Sequence, residues 1–128
     1  MTHDTQPPAD RLREAARSAA FRLAVDQDLG IVQTCGDLDM SVEAAFEEHL
    51  RLAFSRRPFV IVDASGVTFA DCSALGILAA VGAEMTTRGR RWCVVASPAL
   101  QRLIDLTKLP IPTASSIESA RTLGIPPQ

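Results

Sequence analysis

The chain has 128 residues, 47% of them hydrophobic and 22% charged, with a formal net charge of -2. That is the size and balance of one globular domain with a single core, and it offers no broad basic field for nucleic acid. The three cysteines, Cys35, Cys72 and Cys93, stand far apart, form no CxxC pair and are odd in number, which points to reduced thiols and a cytoplasmic setting rather than a disulfide framework.

In chain order, residues 1–19 read as a tail, flexible or a short helix: "THDTQPPAD" is polar and proline-bearing, and "RLREAARSAA" is rich in alanine and arginine with one large apolar residue. The first ten residues contain no apolar run of an export signal, and the most apolar later stretch, "GILAAVGA", is too short to span a bilayer, so no membrane insertion is expected. The alternation of Phe21, Leu23 and Val25 in "FRLAVD" predicts a half-buried strand, and the short "DQDLG" connection to "IVQTCG" predicts a hairpin.

The period then changes. In "SVEAAFEEHLRLAFSRR", Val42, Phe46, His49, Leu50, Ala53 and Phe54 share one helical face, with Ser41 as the expected N-cap. "FVIVDAS" reads as a central strand ended by Asp63, and "SGVTFAD" as a connection to a helix over "SALGILAAVGAEMTTRG". There Leu75, Leu78, Ala79, Gly82 and Met85 form the core stripe, and Gly89 is the stop. "WCVVAS" is a further buried strand. Ser97 and Pro98 open a helix with Leu100, Leu103, Ile104 and Thr107 facing inward; Pro110 and Pro112 leave room for a short edge strand; Ser115 and Glu118 form a capping-box pattern closed at Gly124. Residues 125–128 are a C-terminal tail. The alternation predicts an α/β fold with a mixed sheet whose parallel part is made by crossovers.

Candidate chemistry is sparse. His3 lies in the tail, and His49, on a helix otherwise bearing core residues, reads as a boundary packing residue rather than a general base. No Ser-His-Asp or Cys-His set, phosphate loop or metal-ligand spacing is present, so no catalytic residue, cofactor or metal is expected. Tyrosine is absent, which also argues against a stacking surface for single-stranded nucleic acid.

What stands out is "VIVDASGVTFADCSALGILAAV" together with "GDLD" after the second strand. These resemble the two signatures of the STAS family: a Gly-Glu-Leu-Asp turn, and an apolar strand followed by a Phe-x-Asp-Ser-Ser-Gly-Leu-like helix start. The resemblance covers about residues 20–124, which would form a single STAS domain. It implies a mixed sheet of four to five strands with about four helices packed mainly on one side, and a function in binding rather than turnover. In the family's partner switching, an anti-sigma factor antagonist binds an anti-sigma factor that is also a serine kinase, releasing a sigma factor. Phosphorylation ends the interaction and a serine phosphatase restores it.

In that family the phosphorylated serine directly follows the motif aspartate, here Asp71, so the matching residue is Cys72, and the second family serine matches Ser73. Three readings follow: Cys72 keeps the helix start without a phosphoswitch, Ser73 serves as the acceptor instead, or the Cys72 thiol is redox-active or catalytic. Asp71 and Asp39 serve as helix caps, partner contacts or both, and Asp37 is expected to be simply solvated. Ile77 and Val81, four apart and off the core stripe, pack against the first or third helix or, if solvent reaches them, are partner contacts. The resemblance also extends to accessory subunits of membrane transport complexes and to stress-sensing assemblies.

Overall fold

The structure, a computed structural model, describes residues 20–26 and 28–124, so the tails expected at 1–19 and 125–128 lie outside the described residues. Strands β1 (Ala20–Asp26) and β2 (Leu29–Leu38) form the expected antiparallel hairpin. β3 (Phe59–Ala70), β4 (Arg91–Ala96) and β5 (Thr113–Ala114) follow, each parallel to its predecessor, giving a sheet in the order β1-β2-β3-β4-β5. The parallel steps are made by helices α1 (Glu43–Arg56), α2 (Cys72–Thr87) and α3 (Pro98–Thr107), and α4 (Ile117–Gly124) follows β5.

Three helices share one face. Val32, Val60, Val62 and Val94 of the sheet lie beneath Phe46, Leu50 and Phe54 of α1, Leu75 and Leu78 of α2, and Leu100 and Ile104 of α3. On the other face α4 places Ile117 and Ala120 against Ile61, Cys93 and Val95. Burial on both faces is the reason β3 and β4 read as unbroken apolar runs. β1 has only a helix-side core: Phe21 stacks on Phe46 with centroids 5.8 Å apart and lies 5.0 Å from the ring of His49, whose Nδ1 donates to the Ala45 carbonyl at 2.7 Å. His49 is thus a packing residue. Phe21 and Leu23 pack inward, whereas Val25, near the hairpin end of β1, remains exposed.

β3 departs from the expected boundaries. Asp63 does not end it; the strand runs seven residues further, because the buried Asp63 carboxylate is satisfied locally, accepting from Ser65 N–H at 3.2 Å and Ser65 Oγ at 2.7 Å. Likewise, Gly36, Asp37 and Leu38 of "GDLD" belong to β2 rather than to a turn. The twelve residues of β3 run beside ten of β2, and the two extra residues are absorbed where the register shifts, between Gln33 and Cys35 and between Gly36 and Asp37. At the first shift Gly66 approaches so closely that a Cβ there would lie 2.8 Å from that of Cys35. At the second, Gly36 has φ 85°, a conformation open to glycine.

Two caps also differ. Asp39, not Ser41, opens the turn before α1, accepting from Ser41 N–H at 2.9 Å and from Ser41 Oγ; a short 3-10 turn, Met40–Val42, then leads into α1 without a side-chain cap. At α4 the cap is Ser116 rather than Ser115, with Ser119 N–H donating to Ser116 Oγ at 3.0 Å. Ser97, Pro98 and Gly89 act as expected. α2 is seated on β4 at Gly82, where any Cβ would overlap the ring of Trp92, and Trp92 Nε1 donates to Thr86 Oγ1 at 3.1 Å.

Candidate functional site

β2 and β3 end side by side, and this joins two motifs some thirty residues apart. Asp37 pairs with Phe69 and Leu38 with Ala70, and the Asp71 N–H donates to the Leu38 carbonyl at 3.1 Å. Asp71 leaves the strand in extended conformation and its Oδ1 accepts from Ala74 N–H at 3.0 Å, closing the first turn of α2. Both Asp39 and Asp71 are therefore caps, half-buried at adjacent strand ends.

Cys72 is the first residue of α2 and is exposed; Ser73 behind it is half-buried; Ala74 and Leu75 reach the core and fix the start of the helix. Asp37 is not merely solvated: half-buried, it accepts from Thr68 Oγ1 at 2.8 Å and ties β2 to β3. Ile77 is half-buried and packs on the helix-side core. Val81 is only 2% exposed and belongs to that core, so of the two readings packing holds and a surface strip of partner contacts from Ile77 to Val81 does not form. α1 packs alongside α2, and the buried face of α2 is wider than the stripe its sequence suggests.

Two residues that the sequence reading passed over are prominent here. Phe69 is 52% exposed and Met40 71% exposed, flanking the motif aspartates. No local signal in the sequence marks them: along Val67, Thr68, Phe69 and Ala70 it is the small residue, not the aromatic, that packs inward.

Charge is unevenly distributed along the strand axis. No lysine or arginine occurs in 34–50 or 58–87, while Asp37, Asp39, Glu43 and Asp71 lie at or beside the site. Arg56, Arg57, Arg88, Arg90 and Arg91 lie at the opposite end, where helices finish and β3 and β4 begin. Arg90 there donates to the Phe54 carbonyl at 2.8 Å, completing the last turn of α1. Cys35 and Cys72 are exposed; Cys93 is buried, and its burial pushes the thiol pKa up. Among the described residues no group of three or more His, Cys, Asp or Glu side chains comes together to hold a metal, and no helix is long and apolar enough to cross a membrane.

A five-stranded mixed sheet whose third strand runs directly into an Asp-capped helix beside the end of the second defines a STAS-type α/β domain, and the chain belongs to the STAS domain family, whose model matches residues 20–120. Among solved structures it is similar to an anti-sigma factor antagonist from Mycobacterium paratuberculosis: 28% identity and TM-score 0.75, covering 84% of this chain and 94% of that one. It shares its fold with the anti-sigma factor antagonist SpoIIAA in unphosphorylated form, at 21% identity and TM-score 0.65, over 84% of this chain and 100% of that one. The phosphorylated form of SpoIIAA, a Bacillus cell fate determinant, matches at 19% identity and TM-score 0.62, over 81% and 99%. No curated protein sequence matches the chain.

Proposed function

We propose that the chain is a cytoplasmic anti-sigma factor antagonist that acts by binding rather than catalysis. Its docking surface is Asp39, Asp71, Cys72 and Ser73, with Ile77 at the border, and its partner is an anti-sigma factor of serine kinase-type fold. The family, the likeness to the mycobacterial antagonist and the convergence of the two motifs support this reading.

The observation that carries the regulatory part is the exposure of Cys72 at the first position of α2, with Ser73 half-buried behind it. By family resemblance the phosphoacceptor stands at position 72. A phosphate there would add about -1.5 to -2 charges and a bulky group beside Asp71, altering the shape and charge of the docking surface without refolding the sheet. A thiol takes no phosphate from a serine kinase, so the wild-type chain stays in its binding form and a serine phosphatase has nothing to act on at that position.

The test is incubation of the chain with purified anti-sigma factors of its source organism and ATP, followed by intact-mass measurement and titration calorimetry. Wild type is expected to bind one of them and stay unmodified, whereas Cys72→Ser gains one phosphate and then loses binding. Phosphate on Ser73 of the wild type would show that the switch has moved rather than vanished. Absence of binding to every anti-sigma factor would remove the antagonist reading altogether.

A further inference from the structure

We infer that Phe69, with Met40 on the neighbouring strand end, is the apolar anchor of the docking surface, and that the partner receives it in an apolar pocket rimmed by arginine or lysine. This rests on the antagonist reading above and adds to it the residues that carry affinity and the chemistry of the surface they meet.

The argument begins with parity. Val67 packs into the helix-side core, and strict alternation would send Phe69 to the same face and Ala70 away from it. The register shift between Gly36 and Asp37 reverses this: Ala70 packs on the core, and Phe69 is left 52% exposed. A one-residue bulge thus turns the largest side chain of the segment into solvent at the strand end that leads to Asp71. Burying it inside would have been the stabilising choice, so its exposure calls for a reason outside the monomer.

Met40 strengthens the case from a second strand. It lies two residues beyond Leu38, the partner of Ala70, and is 71% exposed in the 3-10 turn. An aromatic ring and a polarizable thioether exposed at the ends of two paired strands have the composition of an interface centre, where charged residues are depleted. The hydrogen bond from Thr68 to Asp37 fixes the backbone next to Phe69, so less freedom is lost when the ring docks.

The surroundings select the partner. Asp37, Asp39, Glu43 and Asp71 flank these two residues in the chain, and the segments that carry them, 34–50 and 58–87, contain no lysine or arginine. A hydrophobic pocket alone would strand these carboxylates against an apolar wall; a pocket with a cationic rim pairs them and steers the encounter. Leu106, 74% exposed at the end of α3, is equally apolar but stands on a helix with no bulge and a single acid, Asp105, beside it, which makes it a fitting control.

The experiment is calorimetric titration of the full chain and its variants against the anti-sigma factor that binds wild type. Phe69→Ser, and Phe69→Ala as a second variant, should weaken binding about 30-fold or more, the loss expected for an interface anchor. Met40→Ser should weaken it about 5-fold, Leu106→Ser should leave it unchanged, and raising salt from about 50 to about 300 mM should weaken wild type about 10-fold. Melting curves should coincide, since each side chain is exposed.

If both Phe69 variants bind within twofold of wild type, the anchor assignment is overturned and the antagonist reading stands. A Leu106→Ser loss as large as that of Phe69→Ser, or salt independence, overturns the assignment as well. Sedimentation of the chain alone as a dimer that Phe69→Ser dissolves would assign the patch to a second copy instead. Failure of wild type to bind any anti-sigma factor removes both readings together.

Discussion

The helices α2 and α3 start from neighbouring strands in the same way. At each start the cap residue donates its N–H to a carbonyl of the preceding strand, Asp71 to Leu38 and Ser97 to Ala64, both at 3.1 Å. At each, the cap side chain accepts from the amide three residues on, that of Ala74 at 3.0 Å or that of Leu100 at 3.2 Å. Yet Ser97 is 3% exposed, whereas Asp71 is half-buried and Cys72 fully presented. The difference lies in strand length: pairing of β3 with β4 stops at Ala64 opposite Ala96, while β2 and β3 continue together to Leu38 and Ala70. α2 therefore begins on a ladder that projects beyond the rest of the sheet, and α3 begins flush with it. One capping chemistry yields a structural joint in one place and a presented surface in the other.

This comparison can be broken at several depths. The deepest probe removes the apolar residue beneath each start. Leu75→Ala and Leu100→Ala, at 1% and 2% exposure, should each cost about 2–5 kcal/mol in urea denaturation, because both starts are anchored alike below the surface. A Leu75→Ala loss under about 1 kcal/mol would mean that α2 is not seated as described.

The caps come next. Ser97→Ala should cost about 1–2 kcal/mol and Asp71→Ala about 0.5–1 kcal/mol, since the Ser97–Leu100 capping bond is buried whereas the Asp71–Ala74 bond is only part-buried. The opposite order would undo the distinction between the two starts.

The smallest effect concerns pH. α2 is tied to α1 by Arg51, which donates to Glu84 at 2.7 Å and Glu47 at 2.9 Å, while Arg88 stands 3.7 Å from Glu84. The Arg51 hydrogen bond holds the Glu84 carboxyl below the usual carboxylate range. Because the folded pKa is depressed, the contribution is present above the unfolded value of about 4.3 and is lost as pH falls through the lower folded value. The pair is exposed, so the effect is slight. Melting temperatures should fall less steeply with acid in Glu84→Gln than in wild type, and identical slopes would show that this tie contributes nothing.

How much of this was legible beforehand follows from the range of each interaction. The α3 start was, because Ser97, Pro98 and the spacing of Leu100 and Ile104 are local signals. So was the adjacency of Asp71 to a helix N-terminus. The extension of β3 was hidden, since "SGVTFAD" carries glycine and small polar residues that read as a loop, and only pairing with β2, some thirty residues earlier, makes it a strand. The exposure of Phe69 was hidden for the same reason: a bulge resets the parity of every later residue, and bulges leave no fixed mark in sequence. Val81 stayed open between packing and surface because α2 is apolar over most of its length, so the side covered by α1 could not be read from its own periodicity. Ser41 and Ser115 were each offset from the true cap, by two residues and one, where several candidate caps crowd together.

Gly82 leads to a practical consequence. By leaving room for the Trp92 ring under α2, it places the chain's only tryptophan against the helix that carries the docking surface, with its indole N–H on Thr86 of that helix. Intrinsic fluorescence excited at the indole band therefore watches a single site, and that site is the seat of α2. A partner that merely touches the top of the helix would leave the emission maximum where it is, whereas one that tilts or lifts α2 would shift it to the red. The protein carries its own unlabelled gauge of whether binding is a rigid docking or a rearrangement.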